Sequence, residues 1–219
     1  PLQVEYMERL YAGGKIKGSR WVKREGKPLD SEVLTGRMID RSLRPLFPAG
    51  LKNDTQIILT VLSTDHDNNP DVVALIAASA LVHISDVPWN GPIAGLRVGM
   101  IDGKYLINPS QEELARSDLD LIVSVGKDGV VMLDGQADQV PEDKFFGAIE
   151  FAQKQAQPII KLIDELQAEV GLKKMPTPVI EKEKIEKVKK LAQDKIIKLV
   201  DVLYEGKEQE YFDQVQVLI

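Results

Sequence analysis

The chain has 219 residues, 43% hydrophobic and 28% charged, with a formal net charge of −6 at pH 7. That balance belongs to a folded globular protein with a sizeable core and excludes a disordered or fibrous one. The absence of cysteine excludes disulfides, thiolate catalysis and Cys-based metal sites, and fits a reducing cytoplasm. No apolar run approaches the roughly 20 residues that span a bilayer, so no membrane partner is expected. The start, PLQVEYMERL, lacks a Met and the parts of a signal peptide, so a trimmed or fragmentary chain is expected.

The first feature along the chain is an uneven charge. From Lys15 to Arg44, nine Lys or Arg stand against Glu25, Asp30, Glu32 and Asp40, a local net of +5 that leaves −11 on the remainder. Within this segment, SEVLTGRMIDRSLRPLF has helical spacing between Ser31 and Pro45. Arg37, Arg41 and Arg44, at i, i+4 and i+7, fall within about 60° of one another on that helix. Asp40 is placed to pair with Arg37 and Arg44, in surface bridges of a few tenths of a kcal/mol, about 0.3–0.5 each. One carboxylate cannot neutralise three guanidiniums, and Arg20, Lys23, Arg24 and Lys27 precede them. Forked Arg donors and mobile Lys charges together suit a sugar-phosphate backbone. Trp21 is read alone as a partly buried core residue. Beside Lys23 and Arg24 it is a platform for an unpaired base, a contact of about 1–3 kcal/mol. The expected partner is single-stranded RNA or DNA.

Further on, QIILTVLS (56–63) predicts a buried strand. Asn69, Pro70 and Asp71 then open an apolar helix from Val72. GLRVGMI, KYLI, LDLIVSV and GVVMLDG predict short strands joined by DG, NPS and KDG turns. From Pro141 the pattern is helical, with Glu142 and Asp143 in the first turn and Gly171 at the end. Phe145, Ile149, Ala152, Ala156, Ile160, Ile163 and Leu166 form its packing face, and Pro158 predicts a kink. KKMPTPV (173–179) reads as a linker. A second amphipathic helix follows, with Ile185, Val188, Leu191, Ala192, Leu199 and Val202 on its apolar face, a break at Gly206 and a final amphipathic stretch.

Other sites fail on their residues. DHDNNPD (65–71) imitates a calcium loop, but Pro70 stands where Gly is required and Ile76 where the bidentate Glu belongs. It reads instead as a turn feeding the helix. His66 and His83 are isolated, and His83 is expected to be structural. Walker, dinucleotide, zinc and nucleophile-elbow patterns are missing. The alternating charges of EKEKIEKVKK (181–190) mark a solvated helix face.

The stretches AGGKIKGSRWVKREGKPLDSEVLTGRMIDRSLRPLFPAG, NNPDVVALIAASAL, NGPIAGLRVG and INPSQEEL occur in family order and closely resemble the first core of the bacterial polynucleotide phosphorylase family. The resemblance covers nearly the whole chain. It implies an α+β, RNase PH-like core (ribosomal-protein-S5-domain-2-like) over 1–172, without its opening strands. A small all-α linker domain over 173–219, cut short, completes the implied organisation. It also implies 3′-to-5′ phosphorolysis of RNA, with inorganic phosphate as co-substrate and magnesium as the metal. The implied assembly is a cytoplasmic homotrimeric ring threaded by single-stranded RNA, with an RNA-degradation complex as a further partner.

The family's channel-neck motif, two aromatics followed by two basic residues, falls on Trp21, Val22, Lys23 and Arg24. Val22 departs from it and leaves one stacking platform. Arg20 adds a contact, and Arg37, Arg41 and Arg44 lie in the region that handles RNA or phosphate. The family's catalytic acids, phosphate-binding serine and metal site lie in a second core that this chain does not contain, so no catalytic or metal-binding residue is assigned. Two rivals remain: a stand-alone RNase PH-type exonuclease and a non-catalytic, exosome-like ring subunit.

Overall fold

Two short stretches far apart in sequence, Leu2–Glu8 (β1) and Thr55–Val61 (β2), pair in parallel from Leu2 opposite Thr55 to Glu8 opposite Val61. Parallel neighbours need a crossover, and the helix Asp30–Leu43 (α1) lies in the connection between them. The structure, a computed structural model, describes residues 2–14, 28–65, 67–177, 182–204, 206–209 and 211–213. The chain continues through helix Pro70–Ile84 (α2), strands Ile93–Ile101 (β3) and Lys104–Ile107 (β4), and the single turn Gln111–Leu114 (α3). Strands Leu119–Gly126 (β5) and Gly129–Ala137 (β6) and helices Glu142–Val170 (α4) and Lys182–Tyr204 (α5) follow.

Local chemistry accounts for the element ends. The Glu32 carboxylate, in the first turn of α1 and only 7% exposed, accepts the backbone N–H of Leu29 at 2.5 Å and of Glu8 at 2.6 Å. One side chain thus satisfies the donor that precedes the helix and ties the helix to the end of β1. Pro70 occupies the first position of α2, where a missing N–H costs nothing. The β3–β4 hairpin turns on Asp102 and Gly103, both at positive φ (50° and 73°), the two-residue geometry that matches strand twist.

β3 to β6 form an antiparallel sheet in the order β4-β3-β5-β6. Its two central strands, β3 and β5, are buried on both faces and so read as near-continuous apolar runs. Ala94, Leu96, Val98 and Met100 of β3, with Leu119, Leu121, Val123 and Val125 of β5, pack on the Ala148, Ala152, Ala156 and Ile160 stripe of α4. The opposite face contributes Ile93, Ile122 and Met132 to a second core with Met38, Ile39 and Leu43 of α1, Leu75, Ala78 and Val82 of α2, and Tyr6 and Ile57 of the two-stranded sheet. α1 and α2 therefore lie between the two sheets, and α4 closes the far face.

Several expectations need correction. β1 was not anticipated. β2 is not a buried strand: only Ile57 is buried, and Ile58 is 51% exposed, because its sheet is covered on one face. Pro158 lies inside α4 without ending it, the helix running from Glu142 to Val170; the proline sits at an exposed position, where water can take the carbonyl that it leaves unpaired. His83 is only partly satisfied, since its Nδ1 is buried without a partner among the described residues.

The chain divides into two compact units, residues 1–177 and 178–219. The segment after α4 is held to the first unit: Leu172 and Met175 donate backbone N–H groups to the Ile84 and Asp86 carbonyls, and Lys174 Nζ donates to the Val82 carbonyl. In the second unit Leu199 is buried, Ile185 is exposed, and the expected break falls at Gly206, with Lys207 N–H returning to the Val202 carbonyl. The side chains of Val188, Leu191 and Ala192 lie outside the described residues. No helix among the described residues is long and apolar enough to cross a membrane.

Candidate nucleic-acid interface

α1 carries the arginine stripe because its other face is core. Met38, Ile39, Ser42 and Leu43 are buried, which turns Arg37, Arg41 and Arg44 outward. Their electrostatic situations differ. Arg44 is held by three acceptors: Nε to Asp40 Oδ2 at 2.9 Å, Nη2 to Asp40 Oδ1 at 2.6 Å, and Nη2 to the Leu2 carbonyl at 2.9 Å. Arg41 reaches across to β6, where Nη2 lies 3.0 Å from Asp134 Oδ2 and 3.9 Å from the Met132 sulfur. Arg37 has no ion pair or hydrogen bond among the described residues. Of the two bridges expected at Asp40, the one to Arg44 forms, as a forked pair, and the one to Arg37 does not.

Asp134 could not be found from the sequence as a counter-ion, because the strand pairing that brings β6 beside α1 is a property of the fold. It removes part of the charge excess that the spacing alone suggested.

Arg37 lines a cleft of about 520 Å³ between β1 and α1, together with Val4, Met7, Pro28, Val33 and Gly36. Tyr6 also borders it; burial, reinforced by its hydrogen bond to Glu8 at 2.8 Å, pushes the phenol far above its ordinary range. Glu5 and Glu32 line the same cleft, but Glu32 is occupied by its two backbone donors and Glu5 accepts from the Gln3 and Gln56 amides. Arg20, Trp21, Val22, Lys23 and Arg24 lie outside the described residues. The described chain on the C-terminal side of that basic segment resumes at Pro28, in the wall of the cleft that Arg37 lines.

Asp65 accepts the backbone N–H groups of Asp67 and Asn68, each at 3.0 Å, which hold its carboxyl below the usual range and make the local turn expected there. Among the described residues no group of three or more His, Cys, Asp or Glu is arranged to hold a metal ion. The described residues therefore offer no cluster that fits a magnesium site.

Comparison with known proteins agrees with this architecture. Residues 1–88 match the 3′ exoribonuclease family, domain 1, and residues 91–155 match domain 2 of that family. The polyribonucleotide nucleotidyltransferase of Desulfotalea psychrophila is 47% identical over 212 residues, which is 94% of this chain and 31% of the relative. That of Clostridioides difficile is 42% identical over 218 residues, 99% of this chain and 31% of the relative. The Rhizobium meliloti enzyme of the same name is 50% identical over 173 residues, 79% of this chain and 24% of the relative. The chain thus spans about a third or less of the length of these relatives. The crystal structure of rice Rrp46 superposes with a TM-score of 0.61 at 14% identity, covering 76% of this chain and 73% of that one, a likeness of fold.

Proposed function

Because this chain belongs to the RNase PH-type 3′ exoribonuclease family, with the family's two domains in order on an α+β core, we propose that it is the first core of a polyribonucleotide nucleotidyltransferase. In this reading residues 1–172 build the ring and grip single-stranded RNA, residues 173–219 begin the all-helical linker, and the chemistry occurs on a second copy of the core.

The observation that carries the grip is Arg37. An exposed guanidinium, without a carboxylate partner among the described residues, stands in the cleft whose wall includes Pro28, and the cationic segment containing Lys23 and Arg24 immediately precedes that proline. Lys23, Arg24 and Arg20 neutralise backbone phosphates, Trp21 stacks on one base, and Val22 supplies apolar contact without a second platform. Arg37, Arg41 and Arg44 extend the positive track along α1.

The reaction is phosphorolysis. An oxygen of inorganic phosphate bonds to the 3′-terminal phosphorus, the bond from that phosphorus to the 3′ oxygen of the preceding nucleotide breaks, and that oxygen takes a proton. A nucleoside diphosphate leaves and the RNA is one nucleotide shorter. Such a displacement depends on positioning and charge neutralisation, and a core that keeps the strand in register contributes the former. Magnesium and phosphate are assigned to the second core. A homotrimeric ring in the cytoplasm, within reach of an RNA-degradation complex, completes the proposal.

The test is Lys23→Ala with Arg24→Ala in the native enzyme. Weaker RNA binding, a shallower salt dependence and shorter processive runs are expected. Unchanged affinity and processivity reject the grip.

A further inference from the structure

The three arginines of α1 are not equivalent, and their partners rank them. Arg44 is saturated by a carboxylate one turn away on the same helix and by the Leu2 carbonyl, so it acts as a strut between α1 and the start of β1. Arg37 has no partner among the described residues. Arg41 is intermediate: one nitrogen faces one carboxylate oxygen of Asp134, and both side chains are about half exposed, at 54% and 50%.

Resting on the RNA-grip reading above, we propose that Asp134 regulates that grip as a built-in competitor, holding Arg41 in reserve so that a passing phosphate must displace the carboxylate to engage it. Met132 and Asp134 are two apart on β6 and so share one face of the strand, the face that meets α1, where Met132 is buried in the shared core and Asp134 emerges at its margin. The strand therefore aims the carboxylate at Arg41. An exposed pair of this kind is weak enough to open, yet its negative charge stands within the Debye length of any phosphate approaching Arg41 or its neighbour Arg37. Removing that charge frees one cation and one repulsion together.

The experiment measures equilibrium binding of a single-stranded oligoadenylate to the native enzyme across a salt series. Asp134→Asn, nearly isosteric and half exposed, is expected to bind about two- to fivefold tighter at low salt, the range set by an exposed ion pair. Its slope of log affinity against log salt should steepen by about 0.7, one added phosphate contact on a single strand. Asp134→Glu should restore wild-type behaviour. Arg41→Ala in the Asp134→Asn background should abolish the gain. Unchanged or weaker binding by Asp134→Asn, or a gain that survives Arg41→Ala, overturns the proposal. A second arm needs no change at Asp134: Arg41→Ala should weaken binding less than Arg37→Ala, and an equal or larger loss also overturns it. If Lys23→Ala with Arg24→Ala and Arg37→Ala all leave affinity untouched, the RNA-grip reading itself has failed. If they weaken binding while Asp134→Asn is silent, only the competitor role has.

Discussion

His83 Nε2 lies 3.0 Å from Asp164 Oδ1, and this contact joins the last turn of α2 to the C-terminal third of α4. Lys127, in the β5–β6 turn, reaches the same carboxylate oxygen at 2.9 Å, so three elements meet on one acid. With Asp164 ionised, the imidazole is neutral and donates from Nε2. Its Nδ1 is buried without a partner among the described residues, and the ring meets Trp89 in a T-shaped contact, centroids 6.3 Å apart.

That geometry predicts the sign of a pH effect. Burial holds His83 below its ordinary value of 6.5; the attraction of Asp164 opposes this, and the nearby charges of Lys174 and Lys127 reinforce it. The unfolded chain therefore takes up the proton first. Stability attributable to His83 is complete above about pH 7 and declines as pH falls through the unfolded value near 6.5 toward the lower folded one. Urea midpoints at pH 7.5 and 5.5 should differ more for the native protein than for His83→Gln. Equal differences would refute the assignment.

Ser42 of α1 and Ser124 of β5 are both fully buried, with their hydroxyl oxygens 2.8 Å apart. Ser42 also donates to the Met38 carbonyl at 2.9 Å, so Ser124 is the donor between them. Ser42→Ala strands the Ser124 hydroxyl in the core and should cost about 1–3 kcal/mol. Ser124→Ala leaves Ser42 satisfied by Met38 and should cost less, and the double variant should lose less than the sum of the singles. Additive losses in denaturant titrations would contradict the pairing.

Gly95 of β3 lies under α2. A methyl group there would fall inside the Leu75 side chain, which is fully buried. Gly95→Ala should destabilise by about 1–3 kcal/mol through overpacking, and trimming the neighbour with Leu75→Val should recover part of that loss. A melting temperature unchanged by Gly95→Ala would mean that the two elements pack less closely.

The sequence foretold what local chemistry dictates. The Asn69-Pro70-Asp71 start of α2, the Asp102-Gly103 turn and the three- and four-residue spacing of apolar side chains on α4 each announce themselves within a few positions. What it could not disclose is long-range. β1 and β2 pair across more than forty intervening residues, and β1 is a seven-residue stretch flanked by no strong turn signal. The arginine stripe was legible as a stripe, but the division of labour within it depends on Asp134, which lies far along the chain on β6. The hydrophobic reading of GLRVGMI likewise made a strand but gave no reason for a charge in its centre.

That charge is Arg97, and it is held rather than tolerated. Nε donates to Asp120 Oδ1 on β5 at 2.8 Å, and Nη1 lies 3.3 Å from Asp71 Oδ2 in the first turn of α2, in an ion pair without hydrogen-bond alignment. Arg97 and Asp71 are each 15% exposed and Asp120 is 27% exposed, so water screens the trio weakly. Arg97→Met would leave two carboxylates facing an apolar side chain. Removing one partner of a fully buried pair costs about 3–5 kcal/mol; the residual exposure of Asp120 lowers the expectation here to about 2–4 kcal/mol. Arg97→Lys should fall between, because a single ammonium cannot fork to acids on two elements. Adding Asp71→Asn and Asp120→Asn to Arg97→Met should recover much of the loss, since the penalty lies in stranded charge rather than in lost attraction. Denaturant unfolding of the three variants decides the matter: a loss below about 1 kcal/mol for Arg97→Met, or no recovery in the triple variant, would show that the carboxylates find other partners.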